Sequence, residues 1–565
     1  MKTLDGNGKE ATLVRLLLGD VDAIKTFVYE TNALPEIRGG SEILLELEGE
    51  VKQLIQQRYG ANNLIYCGGG SFLAIVPDGD ADALKREIER LYLKRTKTAT
   101  ITVVTSEPVD RANLERGISP HDGQTTRQLQ GRGVAQDLIF SHFEAIVVER
   151  MKRKNFGEFV ARLTGKLQEA KRRKEYTPFH ETLSIHQRCQ SCGKRAAESW
   201  DDVREEWLCG VCLKKRRKGR EEKRDVLGRF RMWAQQKKGA EIVGKAPGDL
   251  DTMAAREGRI ALLYADGNNM GDLLQRAESP ELYRHISKAL TVATEEALFE
   301  AIWSTFGQER LTDAGTPLPF EIIALGGDDV VVIVPASAGW TLAVSMLRKF
   351  ECHPKIKSLL GEIRDEGREI HLNMSAGLAI ADVKYPMRFL FDLTEGLLKE
   401  AKRLAREKQT GTLCHLWLRA PTVSEDAKEL LDDLYMRNRD RTKRCLTARP
   451  YMVNQARELL HLARDLLAIP ASQRRALAEA TEIGVHVSLN YALYQTTSMG
   501  SEEKKQTLRD AFRKLGLLLD AGSLNANGFW FWRRKNGIWQ TALLDVLELI
   551  ELGAHKYPIT EVEHD

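Results

Sequence analysis

Hydrophobic and polar positions follow two periods along the first four hundred residues and one thereafter. Leu13 to Leu18 is a short apolar run ending in Gly19-Asp20, and Val21 to Tyr29 has helical spacing. Glu42 to Gln57 predicts an amphipathic helix, because Leu44, Leu45, Leu47, Val51, Leu54 and Ile55 fall near one face. Asn63 to Cys67 predicts a strand, Gly68-Gly69-Gly70 a tight turn and Ser71 to Val76 a second strand. A helix over Asp80 to Leu93 and a β-rich run over Thr98 to Thr105 complete the order β-α-β-turn-β-α-β.

From Arg259 the pattern returns. Ile260 to Tyr264 predicts a strand ending in Ala265-Asp266-Gly267, and helices follow over 269–277 and 280–304. Glu321 to Leu325 and Val330 to Val334 predict strands joined by Gly326-Gly327-Asp328-Asp329. A helix over Trp340 to Phe350, a strand over Ile370 to Ile380 and a helix over Arg388 to Glu407 close this unit. The same order with a glycine-rich hairpin at the same place is a topological duplication. Between the copies, 106–135 reads as a Gly/Gln/Arg/Pro loop and 136–175 as helical and increasingly basic. Beyond about residue 422 only helical spacing remains, ending in the aromatic knot Phe529-Trp530-Phe531-Trp532.

Length and composition narrow the class. A chain of 565 residues suggests about three or four domains at ~150 residues each. With 84 Lys and Arg against 80 Asp and Glu, the formal charge of +4 excludes a uniformly basic protein but not local basic patches. The N-terminus lacks an apolar signal region and no run of ~18 apolar residues occurs, so neither leader nor membrane span is expected and the expected location is cytoplasmic. Eight cysteines in so long a chain do not suggest a disulfide framework.

Four of those cysteines carry chemistry. Cys189-x-x-Cys192 and Cys209-x-x-Cys212 are two knuckles whose four thiolates suit a structural, tetrahedral Zn²⁺ with no open position. Basic residues flank them: Lys171 to Lys174 before, and Lys214 to Lys218 with Arg220 after. Those read either as contacts to a phosphate backbone or as a solvated helix face.

Adjacent acids at a hairpin tip repel one another unless a cation lies between them. Asp328 and Asp329 occupy such a tip, and Asp266 ends the first strand of the same unit. If the strands are neighbours, three carboxylates face one point, the hard-oxygen site that Mg²⁺ uses together with nucleotide phosphates. Lys402, on one face of the amphipathic run Leu397 to Lys408, is placed to reach a triphosphate. The first unit has no such set: its tip is Gly68-Gly69-Gly70-Ser71, and Asp20 and Asp22 lack an acidic pair.

The paired units, the GGDD hairpin and the four-cysteine insert together resemble the large polymerase/cyclase subunit of type III CRISPR effector complexes. The resemblance rests on Leu18-Gly19-Asp20-Val21, Ile37-Arg38-Gly39-Gly40-Ser41, Tyr66 to Phe72, the cysteine knuckles, Tyr264-Ala265-Asp266-Gly267-Asn268-Asn269-Met270-Gly271, the GGDD and Met374-Ser375-Ala376-Gly377. It spans nearly the whole chain. It implies an α+β class: two ferredoxin-like palm domains, a zinc-binding insert and an all-α C-terminal domain. The boundaries are 1–135 for a first palm without catalytic acids, 136–255 for a helical and zinc-binding linker, 256–420 for the second palm and 421–565 for the helical domain.

The resemblance also implies an activity. On binding target RNA, such subunits join ATP into cyclic oligoadenylate second messengers for antiviral defence, a two-metal nucleotidyl transfer. By position, Asp266, Asp328 and Asp329 would hold Mg²⁺ or Mn²⁺. Gly326, Gly327, Lys402, Asn269 and Ser375 would meet the nucleotide. Partners implied are the guide and target RNA and the other effector subunits (the 5′-handle-binding, backbone and small helical ones), with no membrane. Two departures accompany it. The first palm strand begins near residue 12, leaving no room for the HD nuclease domain many members carry, and His121-Asp122 lies in a loop without further ligands. Asn268 stands where an acid is common. The competing readings are a stand-alone GGDEF-like cyclase and a catalytically silent scaffold binding RNA and subunits.

Overall fold

A computed structural model describes residues 13–111, 114, 156–174, 178, 182–221, 225–362, 371–422, 426–439, 442–519 and 531–558. The His121-Asp122 pair, Phe529 and Trp530 lie outside these. The chain forms two compact units: residues 1–221, 269–293 and 325–328 make the first, and 222–268, 294–324 and 329–565 the second.

In the first unit, β1 (Leu13–Asp22), β2 (Leu64–Gly68), β3 (Ser71–Pro77) and β4 (Thr100–Thr105) form a sheet in the order β2-β3-β1-β4, with β5 (Val109–Asp110) also on β1. β1 is antiparallel to both β3 and β4. Its residues Leu16, Leu17 and Leu18 are all buried, as a central strand covered on both faces requires. The helical spacing over Val21 to Tyr29 is overridden in its first part. Val21 and Asp22 pair with Ile101 and Thr100, leaving Ile24–Val28 as one short helix.

Helix α1 (Leu34–Tyr59) starts eight residues before the predicted Glu42, and α2 (Ala81–Thr96) and α3 (Phe156–Arg172) follow. The early start of α1 is buried even at Glu36, Arg38 and Ser41, because it lies against α4 (Gly210–Arg220). The two backbones nearly touch: a Cβ on Gly219 would stand 1.6 Å from the Pro35 carbonyl oxygen, and one on Gly39 1.8 Å from that of Lys215. Only glycine fits either position. β6 (Ser199–Asp201) and β7 (Glu206–Leu208) form a two-stranded hairpin beside the cysteines.

The larger sheet is built from β8 (Arg259–Gly267), β9 (Glu321–Gly326), β10 (Asp329–Pro335), β11 (Met374–Asp382) and β12 (Thr412–Trp417). With β15 (Tyr451–Met452) at one edge, its order is β15-β12-β11-β8-β10-β9. The segment β9-β10-β8-β11 repeats the order β2-β3-β1-β4, so the duplication read from the sequence is a duplication of ferredoxin-like topology. Helices α5 (Ala336–Glu351) and α6 (Met387–Lys408) pack on it, α6 through Leu390, Leu397, Leu398, Ala401 and Ala405. β12, parallel to β11, was not expected. All six of its residues are buried, so it shows no alternation to read.

The C-terminal segment is mainly helical but not all-α, which corrects the expectation. β13 (Met436–Arg439), β14 (Thr442–Cys445), β16 (Arg533–Lys535) and β17 (Ile538–Gln540) form a sheet in the order β13-β14-β17-β16, while β15 (Tyr451–Met452) joins β12. These strands are two to four residues long, and β13, β14 and β16 are rich in Arg and Lys, which hides them from hydrophobic patterning. Phe531 and Trp532 pack inside: Phe531 stacks on Phe512 at 4.8 Å, and the Trp532 indole donates to Ser488 Oγ at 2.9 Å.

Candidate functional site

β8, β10 and α6 bring the second palm's polar residues to one end of the sheet. Val330 pairs with Ala265, so Asp329, the first residue of β10, stands level with Asp266 near the end of β8. On the other side, Asp266 pairs with Ser375 of β11. Lys402 reaches over from α6, its ammonium contacting the Asp266 carboxylate and donating to the Gly267 carbonyl at 3.0 Å. The side chains of Asp266 and Lys402 keep 26% and 25% of their exposure, so the pair faces solvent. The Tyr264 hydroxyl donates to Asp329 at 3.3 Å, and burial, followed by the charges of Asp329 and Asp266, holds its pKa far above the usual tyrosine range.

A buried polar chain supports this end from beneath. The Asn268 amide donates to Asn373 Oδ1 at 2.6 Å and to Ser375 Oγ at 2.8 Å. Ser375 and Thr412 hydroxyls lie 2.8 Å apart, and Thr412 donates to the Ala401 carbonyl at 2.7 Å, one residue before Lys402. This corrects the expectation that Ser375 meets the nucleotide: it is fully buried and its hydroxyl is committed to Asn268 and Thr412. It also accounts for Asn268, since a carboxylate there could not donate to two buried oxygens.

Asn269 is exposed and left-handed (φ 60°), capping the short helix Met270–Gln275. Gly326 and Gly327 precede Asp328 at the hairpin, with Gly327 at φ 61°. Within the first unit a Cβ on Gly326 would stand 2.5 Å from the Gly69 nitrogen, so the two glycine-rich tips touch backbone to backbone. The carboxylate donors suit Mg²⁺ or Mn²⁺. Asp266 already has a cation against it, the Lys402 ammonium.

Two groups among the described residues gather three or more ligand atoms within 4.8 Å: the four cysteines, and His415 with Asp545 and Glu548. The cysteine group fits zinc. Cys192 and Cys209 sulfurs lie 4.0 Å apart, close to the ~3.8 Å edge of a tetrahedron with ~2.3 Å Zn–S bonds. Gly193 donates to the Cys189 carbonyl and Cys189 to that of Arg195, closing the first knuckle. Arg195 Nε donates to Cys209 Sγ at 3.2 Å while its other nitrogens hold Glu30 at 2.7 Å.

The His415 group has its cation built in. Arg449 is buried among the carboxylates, donating to Asp545 at 2.8 Å and contacting Glu548. Tyr435 donates to Glu548 at 2.8 Å, as does Thr447 to Asp545. Burial drives His415 down to about 3, so it is neutral. This is an ion-pair core joining β12 to α7 (Leu543–Leu552).

The basic residues around the cysteines prove largely structural. Lys215 and Arg216 are buried, Lys215 against Glu30 at 3.2 Å and Arg216 between Glu36 and Asp201. Arg220, with Arg216, holds the Asp201 carboxyl at about 2. Lys171 pairs with Asp20 at 2.6 Å and Lys174 with Asp22, so the first palm's two acids are neutralised from within. Burial alone would raise Asp22; the hydrogen bonds from Lys174, Thr102 and Thr100 outweigh it and hold the carboxyl low.

Fold and site define a two-palm protein with a four-cysteine insert. More particularly, residues 259–410 match the family model Cas10/Cmr2, second palm domain, so this stretch is a palm domain of the Cas10/Cmr2 kind. Among solved structures, the chain is similar to that of a Csm1-Csm4 cassette in complex with pppApApA. The identity is 14%, with 97% of this chain and 71% of that one covered and a TM-score of 0.54. A cassette in complex with cA3 aligns at 15% identity, 97% and 71% coverage and TM-score 0.49. Csm1 from T. onnurineus aligns at 15% identity, 96% and 70% coverage and TM-score 0.48. No curated protein matches. No described helix is long and apolar enough to cross a membrane.

Proposed function

We propose that the second palm is a nucleotidyltransferase that joins ATP into cyclic oligoadenylates when the effector complex binds target RNA. The observation that carries this reading is the convergence of Asp266, Asp329 and Lys402 at one end of the palm sheet. The first palm's own acids are paired with lysines. The pppApApA bound by the similar Csm1-Csm4 cassette, an adenylate chain bearing a triphosphate, supports the substrate assignment.

On this reading Asp266, Asp328 and Asp329 hold Mg²⁺ or Mn²⁺, which would activate the attacking hydroxyl and steady the leaving pyrophosphate. Lys402 neutralises phosphate charge, and the backbone at Gly326 and Gly327 allows close approach of the nucleotide beside Asn269. The Asn268–Ser375–Thr412 chain keeps the ends of β8 and α6 in register. Tyr264, protonated throughout the working pH range, orients Asp329. Residues 1–135 act as a silent palm, 136–255 as the zinc-stabilised linker, 256–420 as the working palm and 421–565 as the helical domain. Guide and target RNA and the other effector subunits supply the activating partner. The test is incubation of the assembled complex with ATP, Mg²⁺ and matched RNA, followed by mass analysis. Cyclic adenylates support the reading; unchanged ATP opposes it.

A further inference from the structure

Lys402 lies against the end of β8. Its ammonium contacts the Asp266 carboxylate and donates to the Gly267 carbonyl at 3.0 Å. These are two oxygens a hard divalent ion would seek, so lysine and metal compete for them. The stem of Lys402 leaves α6 beside Ala401, whose carbonyl is tied through Thr412 and Ser375 to Asn268. The base of the lysine and the end of β8 are therefore fixed, and only the flexible side chain can move. A quarter of the side chain's surface is exposed, so the lysine lies at the edge of the fold rather than sealed within it.

We propose that Lys402 is an internal counter-ion that keeps divalent metal off Asp266 until a nucleotide triphosphate arrives. The triphosphate draws the ammonium away and frees the carboxylate, so metal and nucleotide enter together rather than metal first. This rests on the nucleotidyltransferase reading for the identity of the triphosphate, but the competition at Asp266 does not depend on turnover. It has a counterintuitive consequence: removing a positive charge that helps hold substrate should improve binding of metal alone. A lysine that merely solvates one helix face would leave metal affinity unchanged.

The experiment titrates the full chain, zinc-loaded, with Mn²⁺ in the absence of nucleotide, following free Mn²⁺ by electron paramagnetic resonance. Lys402→Met keeps the apolar stem and removes the charge; Lys402→Gln is the second variant if the first melts early. The expected result is Mn²⁺ binding at least threefold tighter than in the wild type, a gain abolished by adding Asp266→Asn. A parallel titration with ATP and Mn²⁺ should show the same variant binding nucleotide more weakly. Mn²⁺ affinity equal to or below that of the wild type overturns the proposal, as does a gain that persists with Asp266→Asn. If the wild type makes no cyclic product yet Lys402→Met still tightens Mn²⁺ at Asp266, the counter-ion stands and the functional reading falls. The reverse pattern rejects only the counter-ion.

Discussion

At the scale of single residues, the support beneath the site is as informative as the acids. Thr412 links Ser375 on β11 to the Ala401 carbonyl on α6. Thr412→Val keeps the shape and deletes the hydroxyl, leaving a buried serine and a carbonyl each short of a partner. A loss of about 1–3 kcal/mol is expected. Thermal melting checks it, and a lower yield of product per folded molecule should accompany the shift, since α6 carries Lys402 as well. The acids themselves were legible in the sequence. Adjacent carboxylates at a glycine turn are electrostatically costly, and that cost points to a cation. Ser375 was not: alternation along a strand buried on both faces does not tell which way a small polar side chain points, and all but the last residue of β11 are buried.

At the scale of elements, the cysteine insert and its docking helix behave as one body with the first palm. Metal analysis should find one Zn²⁺ per chain. Cys189→Ala should lower the stability of this unit, because structural zinc contributes folding energy. A fully folded, metal-free wild type would contradict the assignment. The basic run over α4 shows where sequence reasoning stops. Charge spacing gave two readings, phosphate contact and solvated face, whereas Lys215 and Arg216 turn inward to Glu30, Glu36 and Asp201. Those acids lie far away in sequence or on a short hairpin, so no local pattern announces the pairing. The sheet of β13, β14, β16 and β17 escaped for a related reason. Strands of three or four residues, in two local hairpins joined only by the distant β14–β17 pairing, carry no period.

The Arg449 cluster makes a prediction at the same level. Arg449→Met would leave Asp545 and Glu548 buried without their cation, and breaking a buried pair in this way costs about 3–5 kcal/mol. Differential scanning calorimetry should show early melting. Arg449→Met combined with Asp545→Asn and Glu548→Gln should recover part of the loss, because no uncompensated charge remains.

At the scale of the whole molecule, the proposed activity needs a switch, since constant synthesis would drain ATP. Moving a two-state balance from 1:99 to 99:1 requires about 5.5 kcal/mol of differential affinity, which RNA pairing along a guide can supply. Product formation by the assembled complex should therefore be low without RNA, high with matched RNA whose flank is unpaired and low when the flank also pairs. Equal rates in all three arms would leave a synthase with no switch. The duplicated topology was legible because two hydrophobic orders with the same hairpin recur, Gly68 to Ser71 in one and Gly326 to Asp329 in the other; the two tips differ in carboxylates, Asp328 and Asp329 against Gly70 and Ser71.

The most direct measurement compares wild type with Asp328→Ala/Asp329→Ala in the assembled complex, given ATP, Mg²⁺ and matched RNA, with products resolved by mass analysis. The account predicts cyclic oligoadenylate from the wild type and at least a hundredfold less from the variant, about 2.7 kcal/mol or more of lost transition-state stabilisation, while RNA affinity stays within about twofold. Substantial product from the variant would place the chemistry elsewhere and contradict the account.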